Sequence, residues 1–212
     1  MFKTIANLFV TILGKIHWDS VKKFFTGSHY ELTVDEQNNI RSLLQDNYYI
    51  ILTRRETHLS TYAINISHLF LTGRLGYYSH GLMNLEDTVN NDADFRLIEA
   101  TGAFGVAYTE FMKVFDCDSV ALLRPKNMSA DEWVAAMDKL KQQEGKEYDT
   151  LYDLRDDAKV SCVELIRTAL KGSPNYDVDF ANFEKMIAKA SNLDPQMIYE
   201  CPDFIVEYEV RH

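Results

Sequence analysis

The spacing of hydrophobic positions changes several times along the chain, and each change marks an element. Ile5, Leu8, Phe9, Ile12, Leu13 and Ile16 recur at helical spacing near the start. Thr33-Val34-Asp35-Glu36 is a capping box, in which the Thr hydroxyl and the Glu carboxylate satisfy each other's free amides. It predicts a helix to about residue 45, with Ile40, Leu43 and Leu44 inward. Tyr48-Tyr49-Ile50-Ile51-Leu52-Thr53 is a run of strand formers and reads as a buried strand. A helical stretch over 61–71 follows, ended by Gly73. Four strand candidates separated by turn residues come next, over 80–85, 95–100, 105–108 and 119–124.

Ser129-Ala130-Asp131-Glu132 is a second capping box, with Trp133, Met137 and Leu140 on one face and Gly145 ending the helix. Ser161-Cys162-Val163-Glu164 is a third. Its helix runs to about Lys171, with Gly172 at its end and Pro174 just beyond. A further helix covers 180–190. Phe204-Ile205-Val206-Glu207-Tyr208-Glu209-Val210 reads as a half-exposed closing strand of alternating apolar and charged residues. Helices and strands in segregated blocks predict an α+β fold, an antiparallel sheet packed against helices. No repeat, low-complexity tract or linker interrupts it. The expected division is a helical extension over 1–45 and a main domain over 46–212.

With 212 residues and 46% hydrophobic content, the chain has the means to bury a full core without staples. A net charge of -10 argues against a nucleic-acid or phosphate-binding role. The apolar residues near the start are interrupted by Thr4, Asn7 and Thr11, and no small-x-small cleavage site follows. A membrane span and a secretory signal are therefore not expected, and the expected location is cytoplasmic. Two readings of this segment stand: a helix packed on the domain, or an amphipathic helix lying on a membrane surface with Lys15, Lys22 and Lys23 near the headgroups. The polar stretch 86–94 lacks the Gly and the terminal Glu of a calcium loop and reads as a hairpin loop. No cofactor or metal site is expected.

Chemistry enters with the cysteines. Cys117, Cys162 and Cys201 are odd in number and widely spaced, which fits a reduced compartment, or one bridge plus a free thiol. If Ser161 is an N-cap, Cys162 is the first helical residue, where unsatisfied amides and the helix dipole favour a thiolate. Asp116 and Asp118 oppose a thiolate at Cys117, and Cys201 precedes Pro202 with no evident activator. Most free cysteines are simply small buried hydrophobes, and position alone leaves that reading open. Of the six histidines, His17, His29 and His212 lie in terminal or peripheral segments, and His58 and His68 lie in or near a helix with no ligand-like partner. His80 differs because it opens a strand, where the sheet can hold it rigidly. If the next strand pairs with it as a hairpin, Glu99 lies beside His80 and can orient its imidazole.

These residues carry a resemblance. Four blocks, covering roughly residues 48–204, are similar to the permuted papain-like cysteine hydrolases related to NlpC/P60, particularly the YiiX-like branch. Ile50-Ile51-Leu52-Thr53-Arg54-Arg55 resembles that family's first strand, and Tyr78-Ser79-His80-Gly81 its Ser/Thr-His motif. Leu97-Ile98-Glu99-Ala100, with Gly102 and Gly105-Val106, resembles its strand bearing an acidic residue. Tyr148-Asp149 followed by Ser161-Cys162-Val163-Glu164-Leu165-Ile166 resembles its Tyr-Asp and Cys-x-Glu-Leu-Val blocks. Cys201-Pro202-Asp203 is weakly similar to a late Ser/Thr-Pro-Asp segment. His80 precedes Cys162 by 82 positions (162 minus 80), the permuted order. The chain departs from the pattern at Asp46-Asn47-Tyr48, where Gly-Asp is common, at Gly81, where an aliphatic residue usually follows the His, and at Val163, where a small polar residue is common.

The resemblance implies a circularly permuted papain-like fold and a cysteine-dependent amide or peptide hydrolase. It implies Cys162 as nucleophile, His80 as base and Glu99 as orienting carboxylate. The Cys162 backbone amide is the first candidate oxyanion donor and the Tyr148 hydroxyl the second. The implied substrates are peptide, amide or lipid-linked acyl groups. A lipid acyltransferase or phospholipase would share the same triad, and a non-catalytic binding module would share the fold.

Overall fold

The computed structural model describes residues 32–55, 59–85, 96–110, 116–150, 158–190 and 193–211. The first helix, α1 (Val34–Asp46), starts at the expected capping box: Thr33 Oγ1 accepts the Glu36 amide and the Glu36 carboxylate accepts the Thr33 amide at 2.7 Å. Then come β1 (Ile50–Arg54), α2 (Leu59–Thr72), β2 (His80–Asn84), β3 (Arg96–Thr101), β4 (Gly105–Glu110) and β5 (Ser119–Pro125). The chain continues through α3 (Ala130–Lys141), a two-residue strand pair β6 (Glu147–Tyr148) and β7 (Lys159–Val160), and α4 (Cys162–Leu170). It closes with α5 (Tyr176–Asp179), α6 (Ala181–Lys189), α7 (Pro195–Glu200) and β8 (Phe204–Val210).

The six long strands form one sheet in the order β4-β3-β2-β1-β5-β8, antiparallel at every pairing. Alternation along the strands builds two cores, because successive side chains point to opposite faces. On one face Ile50, Leu52, Met83, Ile98, Ala121 and Leu123 meet the apolar sides of α3 and α4 and the helices that follow. On the other, Tyr49, Ile51, Leu82, Leu97, Val120 and Leu122 are covered by Leu32, Ile40 and Leu44. The described part of the expected extension is thus built into the second core, while residues 1–31 and the loop 86–94 lie outside the described residues.

Some boundaries differ from the sequence expectation for identifiable reasons. α3 stops at Lys141, because Gln143 and Glu144 turn back onto the Leu140 and Lys141 carbonyls and Gly145 (φ +82°) sends its amide to Val106 instead. β8 does not alternate cleanly. A register shift against β5 between Leu122 and Leu123 leaves Ile205 and Val206 both exposed. α7 was not expected, although Asp194 caps it through the Met197 amide and Pro195 occupies its first turn, a recognisable start signal.

Two glycines set how closely elements approach. Gly105 has φ +69°, and a Cβ there would stand 2.2 Å from the Lys146 carbonyl oxygen, which accepts the Val106 amide. Gly105→Ala is therefore expected to cost about 2–4 kcal/mol and to lower Tm by about 5–15 °C, measurable by thermal unfolding. A Cβ on Gly81 would lie 2.9 Å from Ile166 Cδ1 of α4. α4 thus packs closely on β2 here, with Ile166 against Gly81.

Candidate active site

The site assembles at the end of the sheet where β2 begins. His80, the first residue of β2, pairs with Thr53 of β1. Glu99 of β3 pairs with Leu82, two residues on from His80. His80 and Glu99 are thus diagonal neighbours on adjacent strands, within reach for long side chains. His80 Nε2 and Glu99 Oε2 lie 2.7 Å apart, both side chains partly buried.

α4 brings the third residue. Ser161 is its N-cap, with its amide donating to Glu164 Oε2 at 2.7 Å and its hydroxyl accepting the Glu164 amide at 3.4 Å. The box takes up the amides of Ser161 and Glu164; those of Cys162 and Val163 are not part of it. Cys162 is the first residue of the helix and is buried. It lies close enough to the His80 ring to act on that ring's protonation. Since Nε2 is engaged with Glu99, Nδ1 is the ring nitrogen that remains for a second partner.

The electrostatics follow from this placement. Burial pushes the His80 imidazole down, but the hydrogen bonds and charges of Cys162 and Glu99 outweigh it and raise the ring to about 9. Burial pushes Glu99 up, yet the bond to His80, with the Thr109 hydroxyl and the Arg55 guanidinium, lowers it to about 2. Burial pushes the Cys117 and Cys201 thiols each up to about 12. Cys162 differs from them in its place, at the first position of a helix.

Tyr148, half-buried on β6, is paired with Val160, two residues before Cys162, and its ring is 4.0 Å from where a Cβ on Gly102 would be. The β3–β4 turn and the start of α4 therefore flank it. Asp203 serves α6: it accepts the Asn182 side-chain amide at 2.7 Å and the Phe183 backbone amide at 2.8 Å. His58, His17, His29 and His212 lie outside the described residues. His68 does have partners, contrary to the sequence reading. Fully buried, its Nδ1 meets both Asp194 carboxylate oxygens at 3.0 Å, and its Nε2 lies 3.6 Å from Glu200. Those partners are more than 120 residues away in sequence, so no local signal announces them.

Among the described residues no group of three or more His, Cys, Asp or Glu side chains is disposed to hold a metal ion, and no helix is long and apolar enough to cross a membrane. No protein-family model matches the chain, and no curated protein matches it in sequence. Among solved structures, that of the metalloprotein yiiX from Escherichia coli O157:H7 matches with a TM-score of 0.56 and 16% identity, covering 77% of this chain and 97% of yiiX. The likeness is one of fold: an α+β architecture with an antiparallel sheet and several helices.

Proposed function

We propose that the chain is a cysteine-dependent amide or peptide hydrolase on a circularly permuted papain-like fold related to NlpC/P60, acting through Cys162, His80 and Glu99. The observation that carries this reading is a single imidazole placed between a thiol at a helix N-terminus and a carboxylate on the next strand. That is the nucleophile, base and orienter arrangement in physical terms.

The steps follow from the positions. His80 takes the thiol proton of Cys162, and Glu99 fixes the ring orientation and stabilises the imidazolium. The thiolate sulfur attacks the carbonyl carbon of the substrate, and the carbonyl electron pair becomes an oxyanion. The Cys162 backbone amide donates to it, with the Tyr148 hydroxyl as second donor. Collapse of the tetrahedral adduct expels the amine, which takes the proton from His80 and leaves a thioester. His80 then accepts a proton from water as its oxygen attacks the thioester, and returns that proton to the departing thiolate. The substrate is a peptide, amide or lipid-linked acyl compound, and the proposed location is cytoplasmic.

The test is alkylation of the three thiols by iodoacetamide at pH 7, read by peptide mass mapping. With pKa values raised to about 12, Cys117 and Cys201 carry a thiolate fraction of about 10⁻⁵. Cys162 is expected to react at least about 10²-fold faster, and His80→Ala to slow it by about tenfold or more. Equal rates at all three cysteines, or a Cys162 rate indifferent to the His80 change, would sink the reading.

A further inference from the structure

His80 is preceded by a segment of no regular structure, residues 73–79, and how that segment is held decides where the ring points. Its backbone amides are engaged one by one. Gly76 donates to the Asn65 carbonyl at 3.1 Å, and a Cβ on Gly76 would lie 3.0 Å from His68 Cβ, so the loop runs hard against α2. Ser79 donates to the Thr53 carbonyl at 3.0 Å. Between them, Tyr77 and Tyr78 donate to one atom, Oε1 of Gln196, at 2.9 and 3.2 Å.

Gln196 is buried and lies on α7, more than 110 residues from the loop it binds. Its own orientation is fixed in turn. Its Nε2 donates to Glu200 Oε1 at 3.2 Å, and the other Glu200 oxygen lies 3.6 Å from His68. His68 also grips Asp194, the cap of α7. The buried His68–Asp194 pair, with the more exposed Glu200 beside it, therefore pins α7 to α2, and Gln196 projects from that pinned helix onto the loop.

We infer that Gln196 is a positioning residue, which holds the loop entering β2 so that the His80 ring meets both Cys162 and Glu99. Two loop amides, three and two residues before His80, converge on one side-chain oxygen. A buried amide with no acceptor is costly, so removing that oxygen makes the loop seek other partners and moves the ring. Displacements of about 1 Å are enough to cost about 10²-fold in a positioned reaction. The role of His80 in hydrolysis rests on the function proposed above; the positioning itself does not.

The experiment uses the full chain with Gln196→Met, which keeps the volume and removes the acceptor, and Gln196→Glu, which keeps an accepting oxygen while sharing a proton with Glu200. The readout is the titration of the His80 ring by NMR, together with the pH profile of Cys162 alkylation. In Gln196→Met the His80 midpoint is expected to fall from about 9 toward the ordinary 6.5, and alkylation of Cys162 at pH 7 to slow roughly tenfold. Gln196→Glu is expected to restore most of both. An unchanged His80 midpoint in folded Gln196→Met, or no recovery in Gln196→Glu, overturns the inference. If Gln196→Met does not fold, Gln196→Asn withdraws the same oxygen by one methylene and is read the same way. Should Cys162 of the unaltered chain react no faster than Cys117, the hydrolase reading fails, while the His80 titration still decides the role of Gln196.

Discussion

Cys162→Ala is expected to abolish hydrolysis while leaving the fold in place, with kcat falling by about 10³-fold or more. The residue supplies the only atom of the site that forms a bond to substrate in the proposed route. Every later step depends on the thioester it makes, so no neighbouring group replaces it in part. The structural cost is small by comparison. Cys162 sits at the first position of α4, and the capping box that starts the helix is made by Ser161 and Glu164, not by the thiol. The check is paired: loss of turnover and of any covalent acyl adduct by mass spectrometry, against a thermal unfolding midpoint close to that of the unaltered chain. Retained turnover in a folded Cys162→Ala chain would remove the nucleophile from the scheme.

Glu99→Gln is expected to give the second largest loss, about 10²–10⁴-fold in kcat/KM, together with a displaced pH profile. In the unaltered chain the alkaline limb is expected at about 9, because His80 is raised to that value. The Glu99 charge favours the protonated ring. Its removal favours the neutral ring, so the alkaline limb moves to lower pH. The same pair bears on stability. Glu99, lowered to about 2, contributes above its ordinary value of 4.5 and loses that contribution as pH falls through about 2. His80, raised to about 9, contributes fully below its ordinary value of 6.5 and loses that contribution as pH rises through about 9. The stabilising effect of the pair is therefore greatest between 4.5 and 6.5. An alkaline limb that does not move in Glu99→Gln would separate the carboxylate from the imidazole in function.

What was legible in advance follows the range of the forces involved. The capping boxes at Thr33, Ser129 and Ser161 lie within four residues each, and all three are formed as read. The buried strand around Ile50 and the strand starting at His80 were legible from strand propensity and flanking turns. The placement of Cys162 at a helix start was legible for the same local reason. Its closeness to His80 was not, since nothing between residues 80 and 162 encodes how α4 lies on β2. Gly81 shows the limit well. In the sequence it is a departure from a pattern, and in the fold it is the gap that admits Ile166. The partners of His68 and the reach of Gln196 depend on α7 docking against α2, which composition and periodicity do not express.

The order in which the site's parts appear along the chain has a consequence for the protein during its synthesis. His80 and Glu99 belong to neighbouring strands and leave the ribosome well before residue 162. Until α4 has formed and settled on β2, Cys162 has neither a helix N-terminus behind it nor His80 beside it. The nascent chain therefore meets other unfinished proteins with the parts of the proposed site still apart, and they come together only as the later helices settle on the sheet.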